Sequence, residues 1–114
     1  MRVLLSLTAF LVLPPGTALQ AEDRINFARD IRPILSANCY QCHGADDASR
    51  EADLRLDVRK AAIEKQGESA AIVPGDPLAS DMVRRITSED DDIIMPPKDS
   101  GKSLKPQQIV LLNR

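Results

Sequence analysis

The residues with the most versatile chemistry in this sequence lie within five consecutive positions. Cys39 and Cys42 are the only two cysteines of the chain, and His43, its only histidine, directly follows the second of them. Two thiols and an imidazole at this spacing suit four kinds of site: a disulfide, a dithiol redox centre, a metal site and a covalently bound haem. The rest of the sequence has to discriminate among these four.

A structural disulfide and a structural zinc site both fit this cluster poorly. A bridge between residues three positions apart closes a very short loop, and the stabilisation from a cross-link grows with the length of the loop. The bridge would also leave His43 without a role. A structural zinc site usually has four ligands in two separated pairs, whereas this sequence supplies three candidate ligands in one place.

A thiol-disulfide oxidoreductase that uses Cys39 and Cys42 is a stronger alternative. Cys-x-x-Cys is the core of thioredoxin-like redox centres, where one thiol attacks a disulfide. That fold places the motif after a strand in an alternating strand–helix pattern, and we find no such pattern in this sequence. We keep this reading as an alternative and not as the leading hypothesis.

A covalently bound haem gives every residue of the cluster a role. Two cysteines three positions apart at the end of a helix can form thioethers with both vinyl groups of one porphyrin, and His43 can then ligate the iron through Nε2. Gly44 would let the backbone leave the motif without striking the ring. The sequence therefore predicts one haem c, attached to Cys39 and Cys42 and ligated on its proximal side by His43.

The second axial ligand is expected to be a methionine, because the chain has no second histidine. Met82 lies at helical spacing from Leu78 and Ile86, which favours a packing role, whereas Met95 lies in a loop stiffened by two prolines. We predict His43 and Met95 as the two iron ligands. Such ligation raises the reduction potential and closes the iron to outside ligands, which favours electron transfer. A haem sensor or peroxidase with an open iron site is the second alternative.

The first residues have the layout of a secretory signal peptide. Arg2 supplies a positive charge, Val3 to Leu13 is an apolar run, and Pro14 to Gly16 ends it before a stretch of small residues. The run is well short of the ~20 apolar residues that span a bilayer. We predict a signal peptide over residues 1–21, no membrane span after its removal, and a periplasmic or secreted protein. Export agrees with haem c, which is attached outside the cytoplasmic membrane.

The remaining residues, 22–114, are predicted to form a single small haem domain. Phe27 and Tyr40 are its only aromatic residues, and a domain of this size often needs a cofactor, metal or disulfide to be stable. The formal net charge of the chain is −2, and its basic residues are scattered without interleaved aromatics. Nothing therefore suggests nucleic acid as a partner, and the expected partner is an unidentified redox protein.

Short helices are expected to position the cluster. Phe27, Ile31, Ile34 and Leu35 form an apolar face that leads into Cys39, with Phe27 packed at the entrance of a helix from about Ile31. Asp30 is expected to cap that helix, and Asp57 to cap a second helix over residues 58–65. A third helix is expected after its cap Asp76, with a buried stripe of Leu78, Met82 and Ile86. A last helix is expected to begin at Pro106. Since no alternating pattern of strand length is present, the predicted fold class is all-α.

With these residues in view, the sequence resembles the planctomycete-type cytochrome c domain. The matching segments are Asp30 to Leu35, Cys39 to Gly44, Leu54 to Asp57, Ile72 to Pro77 and Met95 to Lys98. The resemblance implies a small, class I-like cytochrome c fold, all helical and wrapped around the covalently attached haem. Such domains commonly lie at the N-terminus of larger exported proteins. We therefore expect an electron-transfer module and not an enzyme, although it could form the N-terminal part of one.

The sequence departs from the family pattern at two places. The last helix of the family continues through a Trp-Ile pair, whereas this sequence stops at Asn113-Arg114, so we expect an incomplete last helix. Cytochromes c also commonly orient the ligating imidazole with a carbonyl from a Gly-Pro segment. Here Leu54 to Leu56 occupies that region, and it contains no proline.

Overall fold

The structure, a computed structural model, describes residues 24–114. They form short helices and one small hairpin, joined by loops and turns. The helices are α1 (Arg32–Asn38), α2 (Arg59–Ile63), α3 (Asp81–Ile86) and α4 (Pro106–Leu112), with a π turn over Phe27–Ile31 and a 3₁₀ turn over Lys98–Ser100. Strands β1 (Lys65–Gln66) and β2 (Ser69–Ala70) pair antiparallel. No helix within 24–114 is long and apolar enough to cross a membrane. The signal peptide predicted for residues 1–21 lies outside the described residues.

The hairpin shows that the all-α prediction was wrong. Gln66 lies opposite Ser69, so Gly67 and Glu68 form a two-residue turn between the strands. Gly67 has a φ of 71°, a conformation that glycine adopts at no steric cost, and glycine at the first turn position is typical of tight hairpins. Strands of two residues are too short to show the alternation from which strands are predicted. The chain is therefore a small mixed fold of helices and one two-stranded sheet.

The first helical segment starts earlier than the sequence predicted. Its N-cap is Asn26, whose side chain accepts a hydrogen bond from the Arg29 N–H at 3.0 Å, and the Asp30 carboxylate accepts one from the Asn26 N–H at 2.7 Å. Asp30 is therefore not the cap itself. Pro33 lies in the first turn of α1, where its missing N–H is not needed. Phe27 contacts the helix entrance, where the Arg32 guanidinium lies 5.5 Å from its ring centroid, but it is 49% exposed and so is only partly packed there.

Helices α2 and α3 are shorter than predicted, because the two expected caps act locally. The Asp57 carboxylate accepts hydrogen bonds from the Arg55 guanidinium at 2.6 and 3.1 Å instead of capping α2. The Asp76 carboxylate accepts from the Ala79 N–H at 3.1 Å and caps a single turn that ends before α3 begins. Leu78 consequently lies outside α3 and is 94% exposed, so it does not belong to the predicted buried stripe.

The core of the described residues is thin and aliphatic. Its buried apolar members are Ile34, Leu35, Leu56, Ala62, Ala70, Val83 and Ile86. They come from α1, α2, α3, the hairpin and the loop before α2. Leu56 and Ile86 also line a large cavity, so one side of this core forms part of the wall of the candidate site.

Helix α4 packs against the π turn that precedes α1. It begins at Pro106, as predicted, and the Lys105 N–H donates to Oε1 of Gln108 at 2.8 Å. Ile109 is half-buried, whereas Val110 is 60% exposed. The last helix therefore docks on the first helical segment, whereas Val110 remains largely exposed.

Candidate functional site

The cysteine motif continues the end of α1 as a tight turn. Cys39 is the C-cap residue of α1, and its N–H donates to the Leu35 carbonyl at 2.8 Å. The N–H of His43 in turn donates to the Cys39 carbonyl at 2.8 Å, and that of Cys42 donates to the same carbonyl at 3.2 Å. Both cysteines are free thiols; Cys39 is half-buried and Cys42 is exposed. The helix thus delivers both thiols and the imidazole from one short, hydrogen-bonded segment.

The two thiols and the imidazole line a cavity of about 520 Å³. Its mostly apolar wall is completed by Leu54, Leu56, Ala71, Met82, Ile86, Met95 and Pro96, among others. The volume lies within the ~300–1,000 Å³ that is typical of cofactor sites. The structure therefore brings all four predicted site residues, Cys39, Cys42, His43 and Met95, to the same cavity.

A backbone carbonyl orients the imidazole of His43. The Nδ1 atom lies 3.2 Å from the carbonyl oxygen of Glu51. Since a carbonyl oxygen can only accept, this contact places the proton on Nδ1 and leaves the lone pair of Nε2 available. That tautomer is the one a histidine needs to ligate a metal through Nε2. The residue type of Glu51 gives no sign of this contact, because the contact is made by a main-chain carbonyl.

The loop that carries this carbonyl is tied to the motif by main-chain hydrogen bonds. The Glu51 N–H donates to the Cys42 carbonyl at 2.7 Å, and the Leu56 N–H donates to the His43 carbonyl at 2.8 Å. Between them, Ala52 has a φ of 55°, which turns the chain back toward the motif. The position of the imidazole is therefore fixed from both ends of this loop.

Arg50 adds a side-chain link between the same loop and the motif. Its guanidinium, 14% exposed, donates from Nε to the Gly44 carbonyl at 3.0 Å and from Nη2 to the Ala45 carbonyl at 3.2 Å. It also forms an ion pair with Asp47. The only sign of this role in the sequence is a single arginine within an otherwise acidic loop.

Gly44 is required by the backbone of the motif itself. A Cβ atom at this position would lie 2.2 Å from the carbonyl oxygen of Tyr40. That separation is far inside van der Waals contact, and a backbone oxygen cannot swing aside as a side chain can. The glycine is thus required by the chain itself, and the clearance that Gly44 would give to the porphyrin stays a prediction.

Met95 is held in place by α3. Its N–H donates to the Arg85 carbonyl at 3.1 Å, and the Ile94 N–H just before it donates to the Asp90 carbonyl at 2.8 Å. The Met95 side chain is half-buried and lines the cavity. A loop residue is thus fixed to a helix directly beside the site.

A family comparison decides what kind of domain this is. The model of the family described as Planctomycete cytochrome C matches residues 39–99, from the first cysteine to a point beyond the Met95 loop. This range is more than half of the 114 residues. The chain belongs to the planctomycete cytochrome c family. The resemblance predicted from the sequence is confirmed over this range, and the Asp30 to Leu35 segment lies outside it. No curated protein and no solved structure matches the chain.

The donors around the cavity fit the haem that membership of this cytochrome family implies. Soft sulfur from a thioether and nitrogen from an imidazole are established haem iron ligands, and cysteine thiols are the groups that form haem c thioethers. The mostly apolar wall suits a hydrophobic ring. A porphyrin would also enlarge the thin core, because Leu56 and Ile86 belong to the buried core and line the cavity as well.

Two methionines of this cytochrome domain are candidates for the second iron ligand. Met82 lines the same cavity as Met95 and is also half-buried. The helical stripe that assigned Met82 to the core lacks Leu78, which is exposed. The choice of Met95 therefore stays a prediction, supported by the hydrogen bond that fixes its loop to α3.

The environment of Cys39 does not favour the thiol-disulfide alternative. Burial raises the pKa of the Cys39 thiol to about 11, and the neighbouring Cys42 adds a smaller contribution in the same direction. An attacking thiol needs thiolate character, which redox-active cysteines gain from a lowered pKa.

Proposed function

We propose that this cytochrome domain binds one haem c covalently through Cys39 and Cys42 and transfers electrons outside the cytoplasm. One observation carries the proposal: two thiols, an imidazole with Nε2 available and a thioether surround one mostly apolar cavity. When bound, the haem supplies the one-electron redox chemistry.

The side chains of the site then have separate roles. His43 would hold the haem iron through Nε2, and the Glu51 carbonyl keeps its ring in one orientation and one tautomer. Met95 would hold the iron through its thioether sulfur. Leu54, Leu56 and Ile86 exclude water from the cavity wall. An imidazole and a thioether that both held the iron would leave it no open position, which favours an electron-transfer module without catalytic chemistry of its own.

The proposed location is periplasmic or secreted, and the proposed partner is a redox protein. The signal peptide predicted over residues 1–21 supports the location, because haem c is attached outside the cytoplasmic membrane. An iron held by two side-chain ligands would have no position for a small molecule. Electrons would then pass by contact with another redox protein, which supports a protein partner.

The experiment that tests this proposal is an absorption spectrum of the full chain made in a host with haem c maturation. Reduction with dithionite is expected to give the α-band of a six-coordinate c-type haem, and added carbon monoxide is expected to leave the spectrum unchanged. A colourless protein with two titratable thiols would instead support the thiol-disulfide alternative. A spectrum that responds readily to carbon monoxide would support the open-iron alternative.

A further inference from the structure

Two cationic side chains line the mostly apolar cavity beside the iron ligands proposed above. They are Arg85, which comes from α3, and Lys102, which lies between the 3₁₀ turn and α4. The Arg85 side chain is 36% exposed, and Lys102 is half-buried. Cations in an apolar cavity carry a desolvation penalty unless an anion offsets it. Their presence therefore points to negative charge on whatever fills the cavity.

Asp81, which also lines the cavity, does not neutralise these cations. Its carboxylate lies 2.7 Å from the Arg84 guanidinium and 2.8 Å from Nε of Arg85. One carboxylate shared by two guanidinium groups leaves this cluster with a net positive charge. Lys102 makes no ion pair with any residue that the structure describes and adds a second positive charge.

Arg85 also keeps hydrogen-bonding capacity toward the cavity. A guanidinium has five N–H donors, and the bond to Asp81 uses Nε. Nη1 lies 3.5 Å from the Ile93 carbonyl, at the outer limit of a hydrogen bond. The terminal nitrogens of the guanidinium therefore keep N–H donors with which they can bind a carboxylate.

We propose that Arg85 and Lys102 form the subsite for the two propionate carboxylates of the haem, and that Asp81 positions Arg85 in it. A tetrapyrrole with two carboxylates matches the two net positive charges at the cavity. The inference rests on the proposed haem function and assigns residues that the family match does not. Because the Arg85 carbonyl also accepts from the Met95 N–H, Arg85 links the propionate subsite to the loop that carries Met95.

Arg85→Gln tests the proposal, with Arg84→Gln as its matched control. Both residues lie on α3 and both bind Asp81, but only Arg85 lines the cavity. The readouts are the propionate bending mode in the resonance Raman spectrum of the holoprotein and its midpoint potential. Arg85→Gln is expected to shift the bending mode and lower the potential, because an uncompensated propionate stabilises ferric iron. Arg84→Gln is expected to leave the mode in place, and Arg85→Lys to recover part of the potential.

The outcomes separate this inference from the proposed function. If wild-type protein carries no haem, the proposed function fails. If it carries haem and Arg85→Gln gives the same mode and potential as Arg84→Gln, the propionate subsite is wrong. Should Arg85→Gln not fold, Lys102→Gln provides the same two readouts, with exposed Lys65→Gln as its control. A shift confined to Lys102→Gln supports the subsite, and identical spectra for Lys102→Gln and Lys65→Gln overturn it.

Discussion

The Nδ1 atom of His43 lies 3.2 Å from the carbonyl oxygen of Glu51, so the orientation of the candidate iron ligand depends on a loop that follows it in the chain. The same Glu51 donates its N–H to the carbonyl of Cys42. The residue that orients the imidazole is thus itself fixed by the motif that contains it. The imidazole is thus oriented without a Gly-Pro segment.

Removing the Glu51 N–H is expected to loosen His43. Glu51→Pro eliminates the hydrogen bond to Cys42 and should lower the stability of the holoprotein by about 1 kcal/mol or more, since a main-chain hydrogen bond contributes ~0.5–1.5 kcal/mol. A less ordered imidazole should also lower the midpoint potential. Chemical denaturation and redox titration measure the two effects. Glu51→Ala is the control, because the Glu51 residue is exposed and its main-chain bonds survive the change.

The distal ligand can be assigned with two methionine variants. Met95→Ala is expected to abolish the Met-to-iron charge-transfer band and to lower the midpoint potential, because a thioether raises it. Met82→Ala should leave the band intact, although both side chains line the cavity. Visible absorption of the oxidised protein gives the answer, and loss of the band in Met82→Ala alone would reassign the ligand.

Gly44→Ala is expected to destabilise the holoprotein strongly. The new Cβ would lie 2.2 Å from the Tyr40 carbonyl oxygen, and overpacking against backbone costs ~1–3 kcal/mol or more. The wild-type holoprotein is the reference, because alanine at Gly75, which has a φ of 79°, would be strained by its backbone conformation instead. Denaturation midpoints of the two haem-containing proteins test the difference. Equal midpoints would show that the motif relaxes around the methyl group.

Folding of the domain is expected to depend on its cofactor. The buried aliphatic side chains of the described residues are few and small, whereas ordering the backbone costs roughly 1–2 kcal/mol per residue. Cys39→Ala combined with Cys42→Ala should therefore give a largely unfolded chain by far-UV circular dichroism. A cooperative, helical apo-protein would show that the side-chain core suffices without the porphyrin.

Where side-chain type and spacing determine the geometry, the sequence was a reliable guide. Cys39, Cys42 and His43 are close in the chain and therefore close in space, and a proline at the first position of a helix marked the start of α4 correctly. Met95 was favoured by elimination, but Met82 lines the same cavity, so the choice between the two methionines stays a prediction.

Features that depend on the main chain could not be predicted in the same way. The Glu51 carbonyl has no signal in the residue type, and strands of two residues show no alternation, which is why the hairpin was missed. Asp76 has the right type for a helix cap, yet it caps one isolated turn. That local choice leaves Leu78 exposed, so a helical stripe inferred from spacing alone was wrong.

The most direct test of the central claim is the intact mass of the denatured protein, purified after export from a host with haem c maturation. Two thioethers at Cys39 and Cys42 would survive denaturation, whereas a non-covalent cofactor would be lost. The account predicts the mass of the mature polypeptide plus one haem, with no thiol left to alkylate. The mass of the polypeptide alone, together with two alkylated cysteines, would contradict it.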